Sequence, residues 1–168
     1  MTSDGGNNWN LVDTNLPDEA YLDIDVAVSN PSVVYAISKK QVIKSIDGGL
    51  NWATTTLTDG NYSGRGYDIA VSTTNPNIVV ARWSVKIYRT TDGGATWTSI
   101  ITGLPNHTVW DSSVHSEMLD WSTTSPNVVY SASTGHNNQV RIHRSADFGT
   151  TFTLFKTITL DAGANGQI

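Results

Sequence analysis

Thr2-Ser3-Asp4-Gly5-Gly6-Asn7-Asn8-Trp9 returns as Ser45-Ile46-Asp47-Gly48-Gly49-Leu50-Asn51-Trp52 and again as Thr90-Thr91-Asp92-Gly93-Gly94-Ala95-Thr96-Trp97. A looser copy is Ser145-Ala146-Asp147-Phe148-Gly149-Thr150-Thr151-Phe152. The shared pattern is Ser/Thr-x-Asp-x-Gly-x-Thr/Asn-Trp/Phe, and its aspartates are separated by 43, 45 and 55 residues. A fixed phrase at such a period marks a repeat architecture.

A second phrase keeps the same beat. Asp25-Val26-Ala27-Val28-Ser29-Asn30-Pro31 is followed by Asp68-Ile69-Ala70-Val71-Ser72-Thr73-Thr74-Asn75-Pro76 and by Met118-Leu119-Asp120-Trp121-Ser122-Thr123-Thr124-Ser125-Pro126. Between the phrases lie short runs rich in β-branched and aromatic residues, bounded by Gly, Pro, Asn and Ser, which read as strands. They fall at 22–29, 33–38, 41–46 and 52–57, then 67–72, 78–83, 86–91 and 97–101, then 118–122, 128–133, 140–145 and 152–158. Four short strands per unit of about 45 residues is the arithmetic of a β-propeller blade. No window carries apolar residues at helical spacing, so the predicted class is all-β.

The Asp phrase falls in the hairpin between the third and fourth strands of each unit. Its aspartate is short enough to accept hydrogen bonds from nearby backbone N–H groups, fixing the turn from within. The glycine two places on supplies a backbone conformation that a side chain penalises. Thr or Asn closes another local bond, and the aromatic ring packs back over the sheet. Asp4, Trp9, Asp47, Gly49, Trp52, Asp92, Gly94, Trp97, Asp147, Gly149 and Phe152 are therefore read as structural, because an active site is rarely built four times at intervals.

These phrases resemble the Asp-box, or BNR repeat, over nearly the whole chain, with departures at Phe148, where glycine is usual, and Phe152, where tryptophan is usual. The Asp-box group contains sialidases, xyloglucan-cleaving endoglucanases, sortilin-type receptors and a photosystem II assembly factor, so the resemblance implies fold more strongly than activity. The pairing of Val-Ser-x-x-Asn-Pro-x-x-Val with Lys-Ser-x-Asp-Gly-Gly-x-x-Trp looks most like the xyloglucanase and sortilin-type branch.

Only three complete blades are expected, at 20–64, 65–115 and 116–168, with 1–19 as the end of a preceding blade whose last strand is Trp9 to Val12. Closed propellers usually hold about four to eight blades. The expectation is a partial propeller: part of a larger ring, or a subunit that completes one by association with remaining blades or with itself. Ten basic and 15 acidic residues give a net charge of −5 with no basic stripe, which speaks against a nucleic-acid partner. The chain has no cysteine and no apolar run long enough for a membrane span. Low charge with much Thr, Ser, Asn and Gly suits an extracellular or cell-surface β-protein, although no signal segment is present in the chain. No cofactor is expected, and no histidine spacing suits a metal.

Propeller geometry places the Asp-box turns on the same face as the connections between strands one and two. The opposite face receives the blade-to-blade crossings, at 13–22, 58–66 and 102–117. The resemblance implies that ligands gather there. The crossing at 102–117 is the longest and carries His107, Trp110, Asp111, His115 and Glu117. Tyr62, Arg65, Tyr67, Trp83 and His136 belong to neighbouring loops of that face, and aromatic rings beside carboxylates and amides suit sugar recognition. Aligned on the prolines and the preceding Ser-Thr-Thr, whose Thr-Thr the first blade lacks, Asp120 is expected where earlier blades have Ala27 and Ala70, and Trp121 where they have Val28 and Val71. The xyloglucanase-like enzymes use propeller aspartates as general acid and base, so the resemblance makes Asp120 a catalytic candidate, with Asp111 or Glu117 as partner. The sialidase Arg-Ile-Pro phrase is absent. Lys44, Arg89 and Arg144 occupy matching places and read as surface or inter-blade residues; His143 reads as solvent-facing. The functional expectation is thus a glycan- or protein-recognition and scaffold module, with a xyloglucanase-like glycoside hydrolase fragment and a ring-completing assembly module as the alternatives. Catalysis by the chain alone is left open, leaning against.

Overall fold

The computed structural model describes residues 2, 4–9, 16, 20–57, 66–83, 86–100, 117–135 and 139–160. Among the described residues, twelve strands form three four-stranded antiparallel sheets, each in simple sequential order. The first holds β1 (Tyr21–Val26), β2 (Val34–Ser38), β3 (Val42–Ser45) and β4 (Ala53–Thr54). The second holds β5 (Gly66–Val71), β6 (Val79–Trp83), β7 (Lys86–Thr90) and β8 (Thr98–Ile100). The third holds β9 (Glu117–Trp121), β10 (Val129–Gly135), β11 (Gln139–Ser145) and β12 (Thr153–Thr159). Among the described residues there is no helix. Of the expected leading strand only Trp9 is described, outside any strand; positions 10–12 lie outside the described residues.

The sheets stack face to face, and their first strands are neighbours: β5 packs on β1 and β2, and β9 packs on β5 and β6. First strands side by side, with later strands fanning outward, is the arrangement of propeller blades around an axis. Two apolar cores fill the two junctions. Tyr35, Ile37 and Val42 of the first blade meet Ile69, Val71, Trp83 and Tyr88 of the second. Ala70, Val80, Ile87 and Ile100 of the second meet Leu119, Trp121, Val129 and Phe152 of the third. Strand alternation explains the sorting, since successive side chains point to opposite faces and each inner blade face must be buried against a neighbour.

Pairing fixes which residues of the blades are equivalent. Val26 pairs with Val34, Val71 with Val79 and Trp121 with Val129. The loops after them repeat one bond, from Ala27, Ser72 and Ser122 N–H to the carbonyls of Val33, Ile78 and Val128. Asp120 therefore corresponds to Asp25 and Ala70, and Trp121 to Val26 and Val71. This corrects the expected match to Ala27 and Val28. The first blade lacks the Thr-Thr insertion only in appearance: its proline lies as far from the first strand as in the others, so no gap is needed.

Candidate functional site

The four Asp-box turns are built alike. In the second, Asp47 Oδ1 accepts from the Ser45 hydroxyl (2.8 Å) and from the Leu50 and Asn51 N–H groups, while Oδ2 accepts from Asn51 Nδ2 at 2.7 Å. Asp92 binds the Thr90 hydroxyl and both the N–H and hydroxyl of Thr96. Asp147 does the same with Ser145, Thr150 and Thr151, and Asp4 with Thr2 and Asn8. These donors favour the ionised carboxylate, and Asp4, Asp47 and Asp92 are lowered to about 2 by them. For Asp147 slight burial opposes the shift, but the Ser145 and Thr151 bonds win and it too stands at about 2. The preceding hydroxyl works in the other direction, accepting the N–H of Gly49, Gly94 or Gly149.

Both residues after each aspartate lie at positive φ, between 59° at Phe148 and 95° at Gly6. In the third and fourth turns the second of them also faces a tight fit: a Cβ on Gly149 would fall 2.7 Å from Val80 Cγ1, and one on Gly94 2.7 Å from Thr55 Cγ2. The third and fourth turns lean on the preceding blade. Lys44 Nζ donates to Gly93 O at 3.3 Å, and Arg89 Nε donates to Phe148 O at 2.6 Å. Lys44 and Arg89 are thus inter-blade residues. The turns also bond the loop between the first two strands of their own blade, through Gly48 N to Ser32 O, Gly93 N to Asn77 O and Phe148 N to Asn127 O, so the two sets of turns share one face as expected. Trp97 is half-buried against the first junction and Phe152 is fully buried in the second, while Trp9 is 74% exposed.

A second set of carboxylates lies on the first strands, and sequence reasoning missed most of it. Asp23 takes Ile24 N–H with Oδ1 and Ile69 N–H of the next blade with Oδ2 (2.9 Å). Asp25 takes Val26 N–H and, at 2.7 Å, Val71 N–H. Asp68 takes Leu119 N–H at 2.7 Å. Each first strand is the inner edge of its sheet, with backbone donors that no strand pairs; on β5 and β9 a carboxylate of the preceding blade accepts from Ile69, Val71 and Leu119. Burial and the neighbouring Asp23 carboxyl, hydrogen-bonded to it, push Asp68 up to about 8 against the opposing Leu119 bond. Burial raises Asp25 as well, against the Val71 and Val26 bonds, and the charges of Asp23 and Asp120 add to the rise. The legible signal was the alternation Leu22-Asp23-Ile24-Asp25-Val26, which sets two carboxylates on one face of a strand.

Asp120 is exposed on β9, on the face directed away from the second blade. Its equivalent Asp25 is a blade-joining carboxylate. The Asp23–Asp68 pair is in hydrogen-bond contact, far closer than the roughly 5–5.5 Å or 6.5–9.5 Å at which the two carboxyls of retaining or inverting glycosidases act. Glu117 and Tyr67 lie in β9 and β5, at the crossing end of their sheets. Trp83 is 4% exposed in the first junction core, its indole N–H without a partner among the described residues. Trp110, His107, His115, Asp111, Tyr62, Arg65 and His136 lie outside the described residues. His143 is buried, which corrects its expected solvent-facing place; it stands in register with Tyr88 and packs toward the second blade. Among the described residues no group of three His, Asp or Glu could hold a metal ion, and no helix is long and apolar enough to cross a membrane.

A family model for sortilin, neurotensin receptor 3, matches residues 1–165. No curated protein matches the chain. Similar solved structures include YCF48 from Cyanidioschyzon merolae, at TM-score 0.61 and 20% identity over 91% of this chain and 45% of that one. YCF48 bound to D1 peptide gives 0.56 and 17% over 81% and 40%. The GH74 xyloglucanase from Xanthomonas campestris gives 0.59 and 21% over 78% and 18%. At these identities the likeness is one of fold. The chain spans under half of the YCF48 chains and under a fifth of the xyloglucanase.

Proposed function

The chain belongs to the Sortilin-Vps10 family, and on that premise we propose that it is the recognition and scaffold portion of an Asp-box propeller, taking a protein ligand on its crossing-loop face, at the cell surface or outside the cell. The observation that carries this reading is the use of the inner-strand carboxylates. Asp23, Asp25 and Asp68 accept backbone N–H groups across blade junctions, which holds them as struts and leaves them poorly placed for acid–base work. A rigid scaffold with long loops at one end is suited to binding. The peptide bound by YCF48 supports a protein ligand in preference to a glycan. His107, Trp110, His115, Tyr62, Arg65, Tyr67 and His136 are the proposed contact set, Trp83 being withdrawn from it by its burial in the first junction core, and further blades or another copy cover the open ends.

The second reading, a fragment of a xyloglucanase-like glycoside hydrolase, draws on the fold likeness to GH74 enzymes and keeps Asp120, with Asp111 or Glu117, as its acid and base. One pair of assays separates the two. Screening the purified chain against peptide and glycan libraries is expected to yield peptide binders whose affinity falls at least tenfold in Trp110→Ala. Release of reducing sugar from xyloglucan, abolished by Asp120→Asn, would overturn the binding reading in favour of the enzyme.

A further inference from the structure

The two outer faces of the three-blade stack are the unmatched halves of the same junction. At the trailing end, Tyr130 and Ile142 are only half-buried, whereas their equivalents Val80 and Ile87 in the second blade, and Tyr35 and Val42 in the first, are 0% exposed. Met118 and Phe155 stand beside them at 55% and 62% exposure, with the Phe155 ring edge-on to Tyr130. Asp120 holds the place from which Asp25 reaches Val71 N–H of the following blade. Arg144 holds the place from which Lys44 and Arg89 reach the carbonyl after the next Asp-box aspartate. At the leading end, Ile24 and Val26 are 60% and 45% exposed, where Ile69 and Val71 are 2% and 4%. Val26 N–H and the Gly48 carbonyl hold the places of Val71 N–H and Gly93 O. Val26 N–H bonds Asp25 Oδ1 of its own blade, as Ile69 N–H bonds Asp68 while also serving Asp23, and each of these groups at one end has its counterpart at the other.

We infer that a second copy of this chain docks head to tail, its leading face on the trailing face of the first, with Asp120 received by Val26 N–H and Arg144 by the Gly48 carbonyl. The contact continues the junction already made twice within the chain. A carboxylate at the preceding position does not bar it, because Ile69 N–H serves Asp23 while lying next to Asp68. Two copies supply six blades, inside the range of about four to eight in which propellers close, and about the length of one YCF48 chain. The assembly is a closed pair with two identical head-to-tail contacts, which stops growth at the dimer. The inference rests on the propeller reading and not on what the loop face binds, so loss of peptide binding leaves it standing.

Sedimentation of the chain over a wide concentration range tests it. The wild type is expected to reach a dimer and stop there. Ile24→Arg blocks the leading face and Asp120→Lys the trailing face; both sites are exposed, and thermal melting verifies that each variant folds. Each variant alone is expected to stay monomeric, and an equimolar mixture to form a one-to-one heterodimer through the single pair of intact faces. A wild type that is monomeric throughout, as when further blades of one polypeptide cover these faces, overturns the inference. Dimers of either single variant, which indicate a face-to-face or nonspecific contact, overturn it equally.

Discussion

At the scale of single residues, each Asp-box turn depends on a hydroxyl as much as on its carboxylate. Thr90 Oγ1 is buried, donates to Asp92 and accepts the Gly94 and Asp92 N–H groups. Thr90→Val keeps the shape and strands a buried Gly94 donor, so the expected loss is about 1–3 kcal/mol in denaturant melts. A loss within error would mean that the turn is held by the aspartate alone. Phe148 makes the opposite point. At φ 59° it occupies a conformation that costs a side chain about 1–2 kcal/mol, yet its ring meets Trp121 at 6.3 Å and its carbonyl receives Arg89. Phe148→Ala removes the ring and keeps the strain, whereas Phe148→Gly removes both. The glycine variant is expected to be the more stable of the two by about 1 kcal/mol, and equal melting points would show that the backbone there carries no strain.

Between elements, the inner strands are joined by carboxylates where a sheet would use another strand. The Asp23–Asp68 contact places opposite demands on pH from those of the turns. The Asp-box aspartates, lowered to about 2, contribute stability that is complete above the unfolded value near 3.9 and is lost as pH falls toward 2. Asp68, raised to about 8, binds a proton in the folded state that the unfolded chain has released. Its contribution is therefore greatest at acid pH and declines as pH rises from about 4 to about 8. Melting temperature is expected to peak in mild acid and to fall toward pH 8. Asp68→Asn, which can still accept from Leu119 N–H and donate to Asp23, is expected to flatten the fall between pH 5 and 8 while leaving the acid limb in place. An unchanged slope in this variant would place the titrating group elsewhere.

For the whole molecule, blades that touch only their neighbours make stability a matter of junctions, and the two open faces leave that series unfinished. Loop-face recognition and end-face assembly then use separate surfaces and separate residues. Sequence alone determined the all-β class, the strand boundaries to within a residue or two for most strands, and the internal chemistry of the Asp-box turns. Those follow from local rules: period-two alternation, glycine at positive φ, and hydrogen bonds between residues two to four apart. The inner-strand struts were not legible in the same way, since Asp23 and Ile69 or Asp68 and Leu119 meet only once the blades are stacked. The equivalence of Asp120 with Asp25 was legible in their equal distance from Pro126 and Pro31, although a phrase match misplaced it by two residues until the pairing register corrected it. His143 reads as an exposed strand residue until a neighbouring sheet covers it. Contacts between residues more than forty positions apart belong to tertiary structure, because nothing in either local stretch records the partner that burial brings to it.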